Sequence, residues 1–118
     1  PHYVGKGAKI VDSTITEGCT ICGTINHSVI FGGVEVGEGS VIKDSVVMPG
    51  AKIGKNVTME KAVIGSNAII GDGARIGMTE KEDNIYASKL CTHGLVLVEG
   101  GAEVGMNDEI PKGSMVEI

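Results

Sequence analysis

Residues 36–57 read VGEGSVIKDSVVMPGAKIGKNV, and in this stretch an apolar residue is followed three positions later by Gly or Asn at Val36/Gly39, Val47/Gly50 and Ile53/Asn56. The spacing occurs eleven times in the chain, the other pairs being Val4/Gly7, Ile15/Gly18, Ile30/Gly33, Ile64/Asn67, Ile70/Gly73, Val98/Gly101, Val104/Asn107 and Ile110/Gly113. Gly, and less readily Asn, enters the left-handed backbone region at low cost. The pattern therefore predicts a corner at each Gly or Asn, with room for only a short strand between corners.

These corners divide the first part of the chain into triangular coils with a period of 17 residues, shortened once to 15. Each side begins with Ile, Val or Met, whose side chain we expect to point inward. Parallel stacking at about 4.8 Å should then align Ile10, Ile25, Ile42, Met59 and Ile76 into one inner column. This second side of each coil has five residues and carries no Gly or Asn, which predicts a tighter, different turn. Its surface is expected to carry a ladder of mostly alternating charge formed by Asp12, His27, Asp44 and Lys61.

The sequence predicts one all-β domain, a hexapeptide-repeat solenoid of about four to six coils. Residues 1–77 form the coils, residues 78–94 form an irregular loop because the repeat breaks near 77–95, and residues 95–118 return to the solenoid. The chain starts at Pro1 without methionine, which suggests a fragment of a longer chain.

The composition suits a narrow stacked prism rather than a conventional core, since 19 of 118 residues are Gly and only 3% are aromatic. The net charge of −5 argues against nucleic-acid binding and against an anionic membrane surface. No apolar run approaches the ~20 residues that cross a bilayer, and no signal peptide is visible. With three cysteines and no second ligand pair beside Cys19 and Cys22, the sequence favours a reduced, cytoplasmic protein.

Several motifs between residues 18 and 65 narrow the choice among hexapeptide proteins. They are GCTICGTI at 18–25, HSVIF at 27–31, DSVVMP at 44–49, AKIGKN at 51–56 and AVIG at 62–65. Together they resemble the C-terminal β-helix of bacterial glucose-1-phosphate adenylyltransferases. The resemblance covers residues 1–77 well and the tail loosely, and it implies a left-handed parallel β-helix.

In that family a separate N-terminal nucleotidyltransferase domain makes ADP-glucose from ATP and glucose 1-phosphate with Mg²⁺, for glycogen synthesis. The resemblance therefore implies that this β-helix is a non-catalytic part that packs subunits into a homo- or hetero-oligomer, a tetramer in the parent enzyme. It also implies that the β-helix helps to form an effector site against the N-terminal domain. An activator-linked lysine of plant relatives falls at Glu99 here, so phosphate binding at that place is in doubt. Lys43, Lys61 and Arg75 remain as candidate anion contacts.

We find no catalytic, cofactor-binding or metal-binding residues in the sequence. There is no Gly-rich phosphate loop on a βα unit and no carboxylate pair set out for a metal. Asp12 and Asp44 recur on one face, but a solvated ladder explains them better. From this chain alone, a catalytic subunit and a non-catalytic paralogous subunit cannot be separated.

Three other functions compete with this interpretation. A hexapeptide acyltransferase using acetyl-CoA would need a general base, and His27 is the one candidate within the repeat, although its slot faces outward. A γ-class carbonic anhydrase would need three converging histidines, whereas His2, His27 and His93 are far apart in sequence. The tail of another sugar-nucleotide pyrophosphorylase is the third. If the chain is a piece cut from its catalytic domain, its first coil, Val4 to Thr20, should expose unpaired strand edges and an apolar end, so we expect association through that end or through a lateral face.

Overall fold

The computed structural model describes residues 3–5, 7–78 and 95–117, and the regular structure within these ranges is entirely β-strand. In chain order the strands are β1 (Tyr3–Val4), β2 (Lys9–Val11), β3 (Thr14–Ile15), β4 (Thr20–Ile21), β5 (Thr24–Asn26), β6 (Val29–Ile30), β7 (Glu35–Val36), β8 (Val41–Lys43), β9 (Val46–Val47), β10 (Lys52–Ile53), β11 (Thr58–Glu60), β12 (Ala62–Ile64), β13 (Ile69–Ile70), β14 (Arg75–Ile76), β15 (Val96–Val98), β16 (Glu103–Val104), β17 (Glu109–Ile110) and β18 (Met115–Val116).

The strands form three parallel walls of six strands each. Wall one contains β1, β4, β7, β10, β13 and β16; wall two contains β2, β5, β8, β11, β14 and β17; wall three contains β3, β6, β9, β12, β15 and β18. Each strand pairs with the strand three places away along the chain, so every turn of the solenoid adds one strand to each wall. The predicted all-β fold, a left-handed parallel β-helix, is confirmed.

The eleven predicted corners all adopt the left-handed backbone conformation. Their φ angles lie between 57° at Asn56 and 89° at Gly7. Ten of them lie between walls one and two or between walls three and one, and the eleventh, Gly113, lies between walls two and three of the last coil. The short sides between them leave two or three residues for each strand, as the spacing requires.

In the first four coils the corner between walls two and three is tighter than the Gly and Asn corners, as predicted, because it bends at a single residue where those corners take a two-residue turn. The sequence offers no Gly or Asn in these four corners, yet the chain turns through a left-handed residue in each, namely Asp12, His27, Asp44 and Lys61, with φ between 46° and 50°. Asp and His tolerate this region better than most residues, whereas Lys does not share that preference. Both kinds of corner thus use a left-handed residue, but they differ in length.

A serine follows three of these left-handed residues and closes the turn. Ser45 Oγ donates a hydrogen bond to Lys43 O at 2.8 Å, and it accepts one from the Ala62 N–H of the next coil at 3.2 Å. Ser28 makes the equivalent bonds to Asn26 O and from the Ser45 N–H, at 2.9 and 3.0 Å. Each serine thus spans one corner and links two coils, which satisfies polar groups that the core would otherwise leave unpaired.

The predicted inner column of wall two is present in register. Ile25 pairs with Ile42, Ile42 with Met59, and Met59 with Ile76, and the column continues to Ile110. The four central side chains are at most 1% exposed, whereas Ile10 at the open end is 36% exposed. Complete burial of such a side chain contributes roughly 1.5–3 kcal/mol, so the central coils hold most of the stabilising apolar surface.

The break in the repeat occupies a single corner. The chain runs along wall two as far as Ile76 and enters wall three at Val96, which pairs with Ala62. The Gly77 N–H donates to Ile110 O at 2.8 Å and the Val96 N–H donates to Lys61 O at 2.9 Å, so both sides of the break are held by neighbouring coils. The predicted irregular loop at 78–94 lies outside the described residues except for Met78.

Candidate functional site

The outer face of wall three carries a continuous line of apolar side chains. We call it the outer rib, and it consists of Val29, Val46, Val63, Leu97 and Met115. Successive members are paired in register across five strands. Val63 sits at the centre between two inward residues, Ala62 and Ile64, that are fully buried. Since alternate strand residues face opposite sides of a sheet, the outer rib must point away from the core.

The other two walls lack such a rib. The outward column of wall one reads Thr20, Glu35, Lys52, Ile69 and Glu103. The outward column of wall two reads Lys9, Thr24, Val41, Thr58, Arg75 and Glu109. Both mix charged, polar and apolar residues, so their surfaces are compatible with water. In the outer rib Met115 is 43% exposed and the other four members are half-buried. A continuous apolar line on one wall is a candidate for contact with another chain or with another part of the same chain.

Sequence reasoning missed the outer rib, although a signal was available. On wall three an apolar residue directly precedes each inward residue from the second coil onward, giving the doublets Val29–Ile30, Val46–Val47, Val63–Ile64, Leu97–Val98 and Met115–Val116. On wall one the same position holds Glu35 or Lys52 in the middle coils. A doublet that recurs on one side only indicates a wall that is apolar on both faces.

A shallow groove of about 530 Å³ runs along the outside of wall one. Its floor contains Gly37, Gly54 and Gly71, and its rims carry Lys52 and the exposed side chain of Met106. Added Cβ atoms at these glycines would meet the backbone or side chain of the next coil within 3.0 Å, so their small size is required by the stacking of the coils. The groove is therefore explained by the fold.

The expected charge ladder lies on the corner between walls two and three. His27 Nδ1 and Asp44 Oδ1 are 2.7 Å apart, and the His27 side chain is 76% exposed. Asp44 therefore pairs with the histidine of the preceding coil and not with Asp12 in a two-carboxylate site. Among the residues that the structure describes, no group of three or more His, Cys, Asp or Glu is placed to hold a metal ion.

His27 is also the residue that an acyltransferase would need as its base. Its ring faces solvent on the corner, while the groove lies on wall one and does not include it. His2 and His93, the other two histidines that a zinc hydratase would need, lie outside the described residues. The groove therefore offers no place for a substrate beside His27.

Cys19 and Cys22 point in different directions, as the repeat predicts. Cys19 is 1% exposed and its Sγ donates a hydrogen bond to Phe31 O at 3.0 Å, whereas Cys22 is half-buried on wall one. Cys19 therefore serves as a core residue.

The candidate anion contacts are spread over the surface. Lys43 and Lys61 are neighbours on adjacent coils, since the Lys61 N–H donates a hydrogen bond to Lys43 O at 3.1 Å, whereas Arg75 lies on another outward column of wall two. Arg75 is in register with Glu109, and Glu99 is exposed just after β15. None of the three cations lines the groove on wall one.

Both ends of the solenoid present open strand edges within the described ranges. At the first coil Val4 is 42% exposed. At the last coil Ser114 holds the place of Ser45 in the corner, and its buried Oγ has no hydrogen-bond partner. Where a further coil follows, as at Ser45, that oxygen accepts an N–H group.

The family model described as GlmU-like, C-terminal hexapeptide matches residues 2–98. Curated relatives include the glucose-1-phosphate adenylyltransferases of Bacillus thuringiensis (strain Al Hakam) and Bacillus anthracis, each 52% identical over 85 residues. The aligned region is 72% of this chain but only 23% of the length of each relative, in its C-terminal part. The resemblance noted from the motifs is thereby confirmed.

Solved structures show a more distant likeness. A hexapeptide transferase family protein from Anaplasma phagocytophilum is 23% identical, with a TM-score of 0.44, and the match covers 98% of this chain and 69% of that one. The acetyltransferase domain of PglB from Neisseria gonorrhoeae FA1090 is 19% identical, with a TM-score of 0.33 over 98% of this chain and 53% of that one. Similarity at this level does not distinguish between acyl transfer and other functions.

Proposed function

Because this chain belongs to the family of GlmU-like C-terminal hexapeptide domains, we propose that it is the oligomerisation and regulatory domain of a glucose-1-phosphate adenylyltransferase, or of a paralogous subunit of that enzyme. The observation that carries the proposal is the 52% identity over 85 residues with enzymes of that name. The chain spans about a quarter of those relatives, so catalysis belongs to the remainder. Binding of ATP and Mg²⁺ belongs there too, and we place the whole protein in the cytoplasm.

Two structural observations support a non-catalytic role for this part. His27 and Asp44 are engaged with each other on an exposed corner, away from the groove. The Cys19 thiol is buried in the core. Cys22, Glu35 and Asp72 do line the groove on wall one, but that groove is shallow and open and not the enclosed pocket that catalysis at such a site requires. None of the described residues forms a helix long and apolar enough to cross a membrane.

The surfaces of the solenoid support a role in assembly. The outer rib is an uninterrupted apolar line, whereas the outward columns of the other walls mix charged, polar and apolar residues, and the first and last described coils offer unpaired strand edges. Such surfaces are typically covered by another chain or by another part of the same chain. A regulatory effect follows when an effector favours one arrangement of the parts that these surfaces hold together.

The proposal can be tested in the full-length protein with a substitution that destabilises the core of the solenoid. Ile42→Asp places a charge in a fully buried position, while Val41→Asp changes the neighbouring exposed residue and serves as the control. We expect Ile42→Asp to reduce the oligomer to smaller species and to remove the response of ADP-glucose synthesis to effectors. Val41→Asp should behave as the unmodified protein. An unchanged oligomer and unchanged regulation in Ile42→Asp would contradict the proposal.

The isolated 118-residue chain provides a second test. We expect no ADP-glucose from ATP and glucose 1-phosphate, and no acetyl transfer from acetyl-CoA. Sustained acetyl transfer that is lost in His27→Ala would replace the proposal with the acyltransferase alternative.

A further inference from the structure

We propose that the last described coil takes up one further strand, on wall three only, from an extended basic segment of another protein. The segment lies parallel to β18 and lengthens the wall by one strand. Such binding does not depend on which enzyme the chain belongs to, and its partner is not a second subunit. Closure of the other two edges, the open groups of β18 and the charge of the coil carry the proposal.

The edge of wall one is closed by Asp108. In every earlier coil the residue that follows the inward strand residue donates its N–H to a carbonyl of the next coil, as Gly71 does to Val104 O at 2.7 Å. Gly105 holds that place in the last coil, and its N–H donates instead to Asp108 Oδ2 at 2.9 Å. The carboxylate supplies the acceptor that a further coil would have provided. The edge of wall one therefore offers a partner one N–H group fewer.

The edge of wall two is closed by Pro111. On the preceding coil the Gly77 N–H donates to Ile110 O at 2.8 Å. Because Ile76 is in register with Ile110, Pro111 holds the place of Gly77 in the last coil. Proline has no N–H to donate, and natural sheets use it at edges to prevent further pairing. Neither wall one nor wall two thus presents a complete edge.

Wall three keeps both of its outward N–H groups. On the preceding coil the Leu97 N–H donates to Ser114 O at 3.0 Å, toward the last coil. Met115 is in register with Leu97, so its own N–H points toward the open end. Residues two apart in a strand point their N–H groups to the same side, so the N–H of Glu117 does likewise. A strand can therefore pair along the whole of β18.

A buried acceptor in the same corner points to a bound strand. Ser114 Oγ is buried and has no hydrogen-bond partner. In the same column Ser45 Oγ accepts the N–H of Ala62, its neighbour on the next coil, at 3.2 Å. A strand added parallel to β18 brings an N–H group to the equivalent position. Its backbone then satisfies Ser114 Oγ together with the N–H groups of Met115 and Glu117, as in strand addition at a sheet edge.

The charge of the last coil selects a basic partner. Residues 99–118 contain five acidic residues and one lysine, so they carry four of the five net negative charges of the chain. Residues 1–78 are balanced, with seven residues of each sign. Glu99 and Glu117 directly follow β15 and β18 on wall three, and both are exposed. A segment with Lys or Arg is attracted by this field, whereas the last coil of a second copy is repelled.

The columns of wall three determine the side chains of the segment. Its residue opposite Ser114 continues the column of Ala62, which is fully buried, and its residue opposite Val116 continues the inward column, so both are apolar. The residue between them projects outward beside Met115, and the next one lies opposite Glu117. These two are basic. The expected pattern is therefore Lys-Val-Lys-Val-Lys.

A peptide of this sequence, acetylated and amidated, tests the edge on the 118-residue chain by amide NMR. Saturable binding should slow hydrogen exchange of Met115 and Glu117, with little change at Glu103 and Glu109 on the other walls. Lys-Val-Lys-Pro-Lys should bind about tenfold more weakly because it lacks one paired N–H, and Glu-Val-Glu-Val-Glu should not bind. No saturable binding of the basic peptide, equal binding of the acidic one, or equal changes on all three walls would overturn the proposal.

Variants of the chain separate edge pairing from general attraction. Met115→Pro removes an edge N–H and should abolish saturable binding, and Ser114→Ala should weaken it about two- to tenfold by removing the acceptor. Glu117→Gln and Glu103→Gln remove the same charge from wall three and wall one. The first should weaken binding about two- to fivefold, and the second should leave it unchanged. Equal effects of the two Gln variants would contradict pairing at wall three.

A second copy of the chain is the other occupant that such an edge admits. Its signature is protection of the Met115 and Glu117 amides that rises with protein concentration when no peptide is present. That result would overturn the proposal. The Ile42→Asp test of assembly acts on the core of the solenoid, so the strand-binding edge and the assembly role can each fail without the other.

Discussion

At the scale of single residues, Gly and Asn alternate at the corner between walls one and two. Gly39, Asn56, Gly73 and Asn107 occupy successive coils there, all with positive φ. The Asn56 side chain folds back along the solenoid axis, so that its Oδ1 fills the space where a Cβ on Gly39 would lie, and Asn107 does the same over Gly73. Gly39 is therefore required twice, once for its backbone angle and once for the side chain stacked on it.

Gly39→Ala should consequently destabilise the protein more than Gly33→Ala. Both residues are left-handed, with φ of 76° and 70°, and this conformation alone costs about 1–2 kcal/mol for Ala. At Gly33 the nearest atom to an added Cβ is 3.9 Å away, which is ordinary contact. The clash at Gly39 should add at least about 1 kcal/mol, in the range of overpacked sites. Urea unfolding of the two variants measures the difference.

The second variant Asn56→Gly isolates the cause. Combined with Gly39→Ala it removes the obstructing side chain while keeping a residue suited to φ of 57°. The double variant should regain the stability that the clash removes. Only the free-energy cost of holding alanine in the left-handed conformation should then remain. Equal losses of unfolding free energy for Gly39→Ala and Gly33→Ala would show that the Asn56 side chain moves aside at no energetic cost.

At the scale of elements, the serine that follows the left-handed residue fixes the corner between walls two and three. Ser45 bonds both to its own coil and to the next one, while Ser114 in the last coil has a buried Oγ without a partner. The same residue type in the same corner thus stabilises one coil and leaves the other with an unmet polar group. The bond that Ser45 accepts needs a following coil, and the bond that Ser45 donates within its own coil is also absent at Ser114, where the chain turns at Gly113 instead.

Ser45→Ala should lower the free energy of unfolding by about 1–3 kcal/mol, since the buried Ala62 N–H then lacks an acceptor. Ser114→Ala removes an oxygen that bonds to nothing and should be neutral or slightly stabilising. Thermal unfolding of both variants checks this contrast. A loss at Ser114 as large as that at Ser45 would mean that its hydroxyl is satisfied in solution.

How far the sequence could predict the structure also depends on the element. The strands and eleven corners follow from Ile or Val and from Gly or Asn at fixed spacing, because those residues have strong preferences. Asp12, His27 and Asp44 have a weaker preference for left-handed angles and Lys61 has none, so their corner could be predicted as tighter and different, but its left-handed angle could not. The outer rib was not predicted because the repeat was used only to find inward-pointing residues. Val46 and its equivalents are apolar but point outward.

At the scale of the whole molecule, stability is a sum over neighbouring coils, as in other repeat proteins. Each coil contacts only the coils above and below it, and the end coils have one neighbour instead of two. Exposure of the inner column reflects this, from 0% at Ile42 to 36% at Ile10. The ends are therefore the parts that open first.

Ile42→Ala should cost about 2–5 kcal/mol, as is usual for a buried large-to-small change, whereas Ile10→Ala should cost less than 1 kcal/mol because its side chain is already partly hydrated. Hydrogen exchange should follow the same order, with amides of β8 protected longest and those of β2 shortest. Uniform protection along the axis would indicate that the solenoid opens as one cooperative unit.

The place where the repeat is interrupted has a consequence for engineering. The chain departs after Ile76 and rejoins at Val96 without shifting any column, because coils on either side anchor Gly77 and Val96 through their own backbone bonds. We expect that vertex to accept inserted residues, because backbone bonds to neighbouring coils hold both of its sides. Foreign peptides, epitope tags or whole folded modules grafted between Gly77 and Leu95 should be displayed from a rigid rod at a fixed height, leaving the scaffold beneath them intact.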